Sequence, residues 1–556
     1  MLRVLRYDGY PGEAAVINFA ARQARGEYLL MLSPRSVICA GDWLGELLNH
    51  GQRPEVGVVG ARLLDAHGAI VSAGLILGLA GPAGSPFLGE HANSRGYLQR
   101  LQVAQNWSAV SSDCLLVRKD VFDSLGQLDE AEFNLGLSGI DLCLRADKNG
   151  YLIVWTPFAT VMMGEASAPA VPADNVQEQV LEQERFYSKW LPKISRDPAY
   201  SPSLSLGVAS FSLEPSLRNN WNPFCHRDLP LILGLPVNES AIGHYRVTAP
   251  LAELEAAGRV IARVAYESPS TVEIERLSPD TIILQGRYSD GSAADILRMK
   301  KYSNALRIFE LDDYIVSTPK KNSHARNKPV NTEQMLRDGI ALCDRVVVTT
   351  QALADVLSSM HNEIRVVPNM LPPQPWATLT SQRRTAKKPR VGWGGGTSHT
   401  GDLEIIADVV RELADEVEWV FFGMCPDALR PYIHEFHGTL DLQSYPYKLA
   451  SLNLDLALAP LEFHIFNDCK SNLRLLEYGA CGYPVICTDT RAYEGYLPCT
   501  KVHSNSTEEW LAAIRMHLAD PEASYRMGDQ LREAVHRDFM LRGDNLQHWL
   551  WGWLPD

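Results

Sequence analysis

The sequence predicts an α/β protein in which an N-terminal module of mixed strands and helices precedes two doubly wound domains. Three observations carry this. From residue 229 onward, short all-apolar runs alternate with helical segments, the pattern of parallel strands covered on both faces. The 556 residues are too many for one hydrophobic core. Two polar, Pro-containing stretches, 192–228 and 371–389, separate the repeating parts.

Taken in order, residues 1–165 form the first module. VINFAARQARG reads as a helix, EYLLMLS as a strand, DWLGELLNHG as a helix and VGVVGARLL as a strand. Residues 166–228 hold a helix at 176–191 and a linker or irregular connection. Residues 229–376 form the first doubly wound domain, with strands LILGL, RVIARVAY, TIILQG, LRIFEL, RVVVTT and IRVVPN and helices such as TAPLAELEAAG and TQALADVLSSM. Residues 377–556 form the second, with strands RVGWGG, EWVFFG, LDLALAPL and PVICTD. Its helices are expected near 402–415, 427–436, 445–453 and 471–481, with closing helices near 508–519, 522–537 and 541–553. Two such domains in succession enclose a cleft, and ligands of such sheets bind beyond the carboxyl ends of the strands.

The bulk properties narrow the function. With 46% hydrophobic and 21% charged residues the chain reads as soluble and globular. No run reaches the roughly 18–20 apolar residues that span a bilayer. The first residues, MLRVLRYDGYPGEAAV, carry Asp and Glu without a long apolar stretch and do not read as a signal peptide. Ten cysteines lack C-x-x-C or zinc-like spacing, which predicts reduced thiols, a cytoplasmic location and no metal site. The net charge of −14 argues against nucleic-acid binding. Two basic runs stand out: Lys320, Lys321, His324, Arg326 and Lys328, then Arg383, Arg384, Lys387, Lys388 and Arg390. They read either as solvated loop charges or as contacts for a pyrophosphate-lipid acceptor or the inner membrane face.

The candidate site lies in the last domain. After RVGW comes Gly394-Gly395-Gly396-Thr397-Ser398-His399 and then a helix, a place where backbone amides can approach a phosphate; a plain tight turn is the alternative. His399 alone is more often a structural histidine than a catalytic one, and nothing in the spacing fixes its protonation state. After LDLALAPL, a polar loop from Glu462 ends in Lys470-Ser471-Asn472 and opens a Leu-rich helix carrying Glu477. Lys470 and Glu477 lie seven residues apart, on nearly one helix face. Lys470 suits a diphosphate, and the two oxygens of Glu477 suit the paired hydroxyls of a ribose. The alternative is a surface Lys and Glu on an amphipathic helix. Loops near Gly423 and Tyr445 are placed to select the base.

The stretch KSNLRLLEYGACGYPVICTD, with VGWGGGTSHTGD, FFGMCP and LDLALAPLE, resembles the donor half of GT-B glycosyltransferases of glycosyltransferase family 4, and the likeness extends over roughly 229–555. The resemblance implies a GT-B fold, a nucleotide-sugar donor and retention of anomeric configuration. It assigns the ribose to Glu477, and the diphosphate to Lys470 and to Gly394, Gly395 and Gly396 with Ser398 and His399. Two features depart from the family. Cys469 stands where the first glutamate of the motif belongs, which makes Glu462 a candidate for the sugar, and the Arg-Lys pair after the glycine loop is missing. Across the cleft, His244 and Arg246 in GHYR either assist the departing phosphate or the acceptor, or form a helix cap with a solvent-facing Arg. Gln285, Arg287, Asp312 and Asp313 also sit at strand ends, as site residues or as turn formers and helix caps.

Residues 1–165 resemble the later part of a GT-A glycosyltransferase of family 2, through NFAARQARGEYLLML, PEVGVVGARLLDAHGAIVSAG, NWSAVSSDCLLVRKDVFDSLGQLDE and GIDLCLRADKNGYLIVWTP. The family's nucleotide loop has no counterpart here. Its metal-binding Asp triplet is matched by Ser33-Pro34-Arg35-Ser36, its base by Gly139 and its metal-ligand His by Met162-Met163-Gly164. Arginine repels a cation and glycine takes no proton. This predicts a catalytically inactive module that holds the acceptor, positions the active domain or forms a homo-oligomer, with Asp141 paired to Arg145. A chain that begins further upstream is the alternative reading for the missing loop.

The leading expectation is a metal-independent glycosyltransferase acting on a glycan, lipid-linked glycan or protein acceptor, with no cofactor beyond the nucleotide-sugar. The alternative is a non-catalytic glycan-binding or scaffold subunit. An active, Mn²⁺-dependent first module is a third.

Overall fold

The computed structural model describes residues 3–7, 12–39, 41–164, 173–207, 211–213, 227–289, 291–322 and 329–556. The chain is α/β, built on parallel and mixed sheets. It divides into two compact units, Met1–Pro223 with Pro269–Leu277, and Phe224–Ser268 with Ser278–Asp556. The helix Thr271–Leu277 belongs with the first unit although its sequence position falls among the strands of the second. Arg276 ties it there, donating to the carbonyls of Ser195 and Leu204.

The first unit contains strands β1 (Tyr28–Leu32), β2 (Ser36–Val37), β3 (Val56–Leu64), β4 (Ile70–Ser72), β5 (Ile76–Leu77), β6 (Ala83–Gly84), β7 (Gln105–Asn106), β8 (Cys114–Arg118) and β9 (Leu152–Met163). The main sheet runs β1-β8-β3-β9-β2, with β4 on β3 and β7 on β9. VGVVGARLL becomes β3 and is buried almost throughout, because it pairs on both edges and its apolar side chains meet the core around Leu47, Leu116 and Val161. The expected helix at 176–191 is longer, Ala173–Ile194. The stretch after it is irregular but not loose. Buried Asp197 accepts hydrogen bonds from the Leu77 amide at 2.7 Å and from the Ser108 hydroxyl. Residues 214–226 of the expected linker lie outside the described residues.

The second unit carries two six-stranded sheets. The first comprises β10 (Leu231–Leu235), β11 (Ile261–Val264), β12 (Thr281–Gln285), β13 (Leu306–Leu311), β14 (Arg345–Val348) and β15 (Ile364–Val366), in the order β11-β10-β12-β13-β14-β15. The other comprises β16 (Arg390–Gly394), β17 (Glu418–Gly423), β18 (Glu435–Gly438), β19 (Leu456–Ala459), β20 (Val485–Thr488) and β21 (Thr500–Val502), in the order β18-β17-β16-β19-β20-β21. Every pairing in both is parallel. The second order is that of a dinucleotide-binding sheet.

Three local expectations need correction. Residues 427–436 are not a helix but a short 3₁₀ turn, Arg430–Tyr432, followed by edge strand β18. Pro431 removes an amide and breaks a helix there. The segment expected as one helix at 402–415 divides into Thr400–Glu404 and Ala407–Glu412. The last helix, Leu546–Trp553, follows the second sheet in sequence but packs on the first. Its Leu546, Trp549 and Trp553 join Ile232, Val247 and Ile308 in one core, and Thr281 donates to the Trp553 carbonyl at 2.8 Å.

Candidate functional site

Strand order reverses between β16 and β19, and the loops that leave their carboxyl ends diverge and open a crevice. The first sheet has its own reversal between β10 and β12. A cavity of about 160 Å³ is lined from both halves of this unit. Ala241, Ile242, Tyr245 and Arg246 come from the segment after β10, Asp312 and Asp313 from the end of β13, and Asn369 from beyond β15. His399 follows β16; Leu461, Lys470, Ser471, Leu473, Arg474 and Glu477 follow β19; Tyr493 follows β20.

Lys470, expected from the sequence, lines this cavity. Its ammonium lies 3.7 Å from Asp313 Oδ1 and 4.6 Å from the centroid of the Phe466 ring. Arg474 was not anticipated. It sits one turn further along, on the helix Leu473–Ala480, with its guanidinium 4.9 Å from the centroid of Trp393. One nitrogen donates to the Gly394 carbonyl and another lies 3.2 Å from His399 Nε2. Among the described residues no carboxylate comes within ion-pair distance of it. The helix begins at Leu473, so Lys470 lies in the turn before it and does not share a helix face with Glu477 as the spacing suggests; Arg474 is on that helix, three residues before Glu477.

Glu477 is only 7% exposed, and both its oxygens are engaged. The Tyr245 hydroxyl donates to Oε1 at 3.1 Å from the first half of the unit, and the Tyr445 hydroxyl to Oε2 at 3.0 Å from the second. Burial pushes its carboxyl up, while Arg474 and the two tyrosines oppose that shift. The sequence expected these oxygens to be open for a ribose; here they hold tyrosines. Tyr445, expected near the base, instead stacks on Phe422 and reaches Glu477.

The glycine loop is only partly free. The Gly394 amide donates to the Tyr478 hydroxyl at 2.9 Å, and the Gly395 amide to the Phe422 carbonyl at 3.0 Å. These two amides serve the fold, which corrects the expectation that all three glycines face a phosphate. Gly395 also leaves room for the guanidinium of Arg474, which a side chain would strike. Gly396 is exposed, and it opens the turn through Thr397 and Ser398 to His399. Gly423 has φ +93°, and a β-carbon there would run into the Gly395 carbonyl, so its glycine character serves close packing of two strand ends.

His399 is held in one state. Its Nδ1 lies 2.7 Å from Asp402 Oδ2, and Arg474 faces Nε2. Since arginine can only donate, Nε2 accepts and Nδ1 carries the proton. Burial and the Arg474 charge lower its pKa to about 4, against the pull of Asp402. Buried Asp402 also accepts the Glu462 amide at 2.7 Å and the Asn467 side chain at 3.0 Å, and so fixes both loops.

Other expected residues fall elsewhere. Glu462 does not line the cavity; its carboxylate packs against Gly401. His244 is also absent from the lining, with Nδ1 3.3 Å from the Thr248 hydroxyl and its pKa lowered by burial. Arg246 is neither a surface residue nor a free one. On the π-helical turn His244–Thr248 it is fully buried, pairs with Glu310 at 2.7 Å and donates to the Val367 carbonyl and Asn369. Asn369 in turn donates to the Ser471 hydroxyl at 2.8 Å. Gln285 bonds the Val237 amide and the Ile242 carbonyl, a structural role. Asn472 accepts the Leu475 amide through its carbonyl and, like Ser398 and Arg287, lies off the cavity.

Four of the basic-run residues are paired within the fold. Arg383 pairs with Asp529, Arg384 with Glu522, Arg390 with Glu418 and Glu435, and Lys321 with Glu404. His324, Arg326 and Lys328 lie outside the described residues. Among the described residues no group of three or more His, Cys, Asp or Glu side chains is arranged to hold a metal ion, and no helix is long and apolar enough to cross a membrane.

In the first unit, β2 pairs with the end of β9, Ser36 opposite Met163. Arg35 lies 3.4 Å from Asp113. The place a side chain at Gly139 would occupy is filled by the Ser112 hydroxyl. Asp141 is fully buried, paired with Arg145 at 2.7 Å and bonded by the Trp190 indole at 2.8 Å.

No family model matches the chain. It is 39% identical over 218 residues to an uncharacterized protein of Sinorhizobium fredii, covering 38% of this chain and 24% of that protein. It is 37% identical over 202 residues to the O-antigen biosynthesis protein RfbC of Myxococcus xanthus, covering 36% and 16%. The matches thus span less than a quarter of either relative. Among solved structures, the chain is similar to a sucrose-phosphate synthase from Thermosynechococcus elongatus, with 14% identity, a TM-score of 0.45 and coverage of 58% of this chain and 98% of that one.

Proposed function

We propose that the second unit binds a nucleotide-diphosphate sugar at its cavity and transfers the sugar to a hydroxyl of a glycan, lipid-linked glycan or protein. One observation carries this reading. Lys470 and Arg474 lie four residues apart at a topological switch point, and Arg474 faces the cavity with no carboxylate within ion-pair distance among the described residues. A half-buried cation outside any ion pair favours an anionic ligand, and a diphosphate supplies one. Amides after Gly395 and Lys470 complete the phosphate grip, and fixed cations there stabilise the leaving diphosphate without a metal. Ser471 borders it.

The cavity is smaller than the roughly 300–1,000 Å³ usual for ligand sites, so donor entry requires the Tyr245–Glu477 contact to part. Glu477 then meets the ribose. The first unit is proposed to be inactive, with Ser33-Pro34-Arg35-Ser36 in place of the metal-binding Asp triplet and Gly139 in place of the base, and to hold acceptor or a second copy of the chain. A cytoplasmic enzyme, peripheral at the inner membrane face, fits a lipid-linked acceptor. The name of the Myxococcus relative accords with a saccharide product. The family resemblance assigns retention, which proton NMR of the product tests separately.

A non-catalytic glycan-binding subunit is the second reading, favoured by the closed tyrosine clamp on Glu477. Calorimetric titration with UDP-glucose, UDP-N-acetylglucosamine, GDP-mannose and dTDP-rhamnose, repeated with Glu477→Ala and with EDTA, decides between them. Binding by one donor, weakened by the substitution and indifferent to EDTA, supports transfer. Binding by none leaves the non-catalytic subunit.

A further inference from the structure

We propose that Cys487 and Cys499 are a reversible disulfide site, oxidised by exchange with a small-molecule disulfide, and that the bond changes donor affinity at the cavity. The cross-link stands on its own observations, while its effect on a donor rests on the reading of the cavity as a donor site. Cys487 lies on β20 and Cys499 immediately before β21, twelve positions apart, with their sulfurs 3.6 Å from each other. Both are free thiols, Cys487 buried and Cys499 half-buried, so a small reagent reaches Cys499 first. The bond would move the cavity wall. A disulfide holds its sulfurs about 2.05 Å apart, so the two must close from their present separation. Cys487 is fixed, because β20 pairs on both edges, with β19 and with β21. The displacement therefore falls on the segment that leads to Cys499. That segment carries Tyr493 to the cavity, and it joins Arg491 to Asp355 at 2.7 Å across the two halves of the unit.

The two sulfurs differ in the way exchange requires. The Cys487 thiol donates to the Cys499 sulfur and so holds the Cys499 pKa down; Lys501 adds to this, while burial and Asp489 oppose it. The same contact, with burial, holds the Cys487 pKa well up. Cys499 is thus the attacking sulfur and Cys487 the resolving one. In the first step the Cys499 thiolate bonds to one sulfur of the oxidant R–S–S–R, and the other sulfur leaves as a thiolate that takes up a proton. In the second, Cys487 gives up its proton and its sulfur bonds to Cys499, expelling the remaining R–S group as a second thiolate. The two protein thiols lose two electrons and two protons, and one R–S–S–R becomes two R–SH.

The test incubates the chain with oxidised glutathione, alkylates the remaining thiols after unfolding, and reads a tryptic digest by mass spectrometry before and after dithiothreitol. Cleavage after Arg474, Arg491 and Lys501 puts the two cysteines on separate peptides, 475–491 and 492–501. The expected result is a link between those peptides, assigned by fragmentation to Cys487 and not Cys481, and lost on reduction. Exposed Cys39 reports that the reagent has acted. Cys487→Ala should instead keep glutathione on Cys499, and Cys499→Ala should leave Cys487 unmodified. A wild type with glutathione on Cys39 but with Cys487 and Cys499 both alkylated overturns the proposal, as does stable glutathione on Cys499 without the link. Should Cys487→Ala not fold, wild type and Cys499→Ala decide. Calorimetry then compares reduced and cross-linked wild type with whichever of UDP-glucose, UDP-N-acetylglucosamine, GDP-mannose and dTDP-rhamnose binds the reduced chain, with treated Cys499→Ala as the control for other thiols. Donor Kd should change by more than about threefold on cross-linking, and a smaller change refutes the effect on the cavity. Failure of the reduced chain to bind any donor refutes the donor site instead, a different result, while the peptides still decide the link.

Discussion

Replacing Arg474 by methionine removes a cation that lines the cavity while keeping an apolar stem over Trp393. Two of the five guanidinium N–H donors point to the Gly394 carbonyl and His399 Nε2, which leaves others for a ligand. A charge-assisted hydrogen bond to phosphate contributes about 1.5–3 kcal/mol, so donor Kd should rise about 10- to 150-fold. Stability of the free protein should fall by about 1–2 kcal/mol, since two hydrogen bonds are lost and buried Glu477 loses a neighbouring positive charge. Because the Arg474 charge helps to hold His399 down at about 4, the His399 titration should also move upward. Calorimetry reads the first effect, denaturant unfolding the second and histidine NMR the third. A donor Kd within twofold of wild type, or a stability loss above about 3 kcal/mol, would show that Arg474 serves the fold and not the ligand.

Three further outcomes follow from the same geometry. Arg246→Met strands the fully buried Glu310 carboxylate and should cost about 3–5 kcal/mol in urea unfolding, with most of it regained when Glu310→Leu is added. His399 has its folded pKa lowered from 6.5 to about 4, so between those values the unfolded chain binds more protons. Its contribution, up to about 3 kcal/mol, is full above pH 6.5 and lost as pH falls towards 4. Unfolding at pH 7.5 and 4.5 should show this slope, and His399→Asn should flatten it. Gly423→Ala forces a β-carbon into the Gly395 carbonyl at φ +93° and should destabilise by about 1–3 kcal/mol, read by the urea midpoint. An unchanged midpoint would mean the two strand ends are not held in contact.

Periodicity made the sheets legible, because parallel strands buried on both faces are continuous apolar runs such as LILGL and TIILQ. It failed where strands are short and at the edge. EFHG pairs only on one side, so nothing in its polarity separates β18 from a helix end. The last helix shows another limit, since an apolar stripe of Leu546, Trp549 and Trp553 says that a face is buried but not against which sheet. At the site, Lys470 was readable from its place at a helix start after an apolar strand. The tyrosine clamp was not, because Tyr245 and Glu477 are 232 positions apart and meet only through folding. Nor was the loss of the Gly394 and Gly395 amides to internal bonds, since sequence shows that a backbone can approach a phosphate and not whether its donors are already spent.

The most direct measurement is calorimetric titration of the four nucleotide-sugars into the wild-type chain and into a Lys470→Ala, Arg474→Met double variant confirmed as folded by circular dichroism. If the cavity is a donor site, one nucleotide-sugar binds the wild type, its nucleoside diphosphate competes with it, and the double variant binds neither measurably. Equal binding by the two proteins, or none by the wild type, would contradict the assignment of Lys470 and Arg474 to a donor diphosphate.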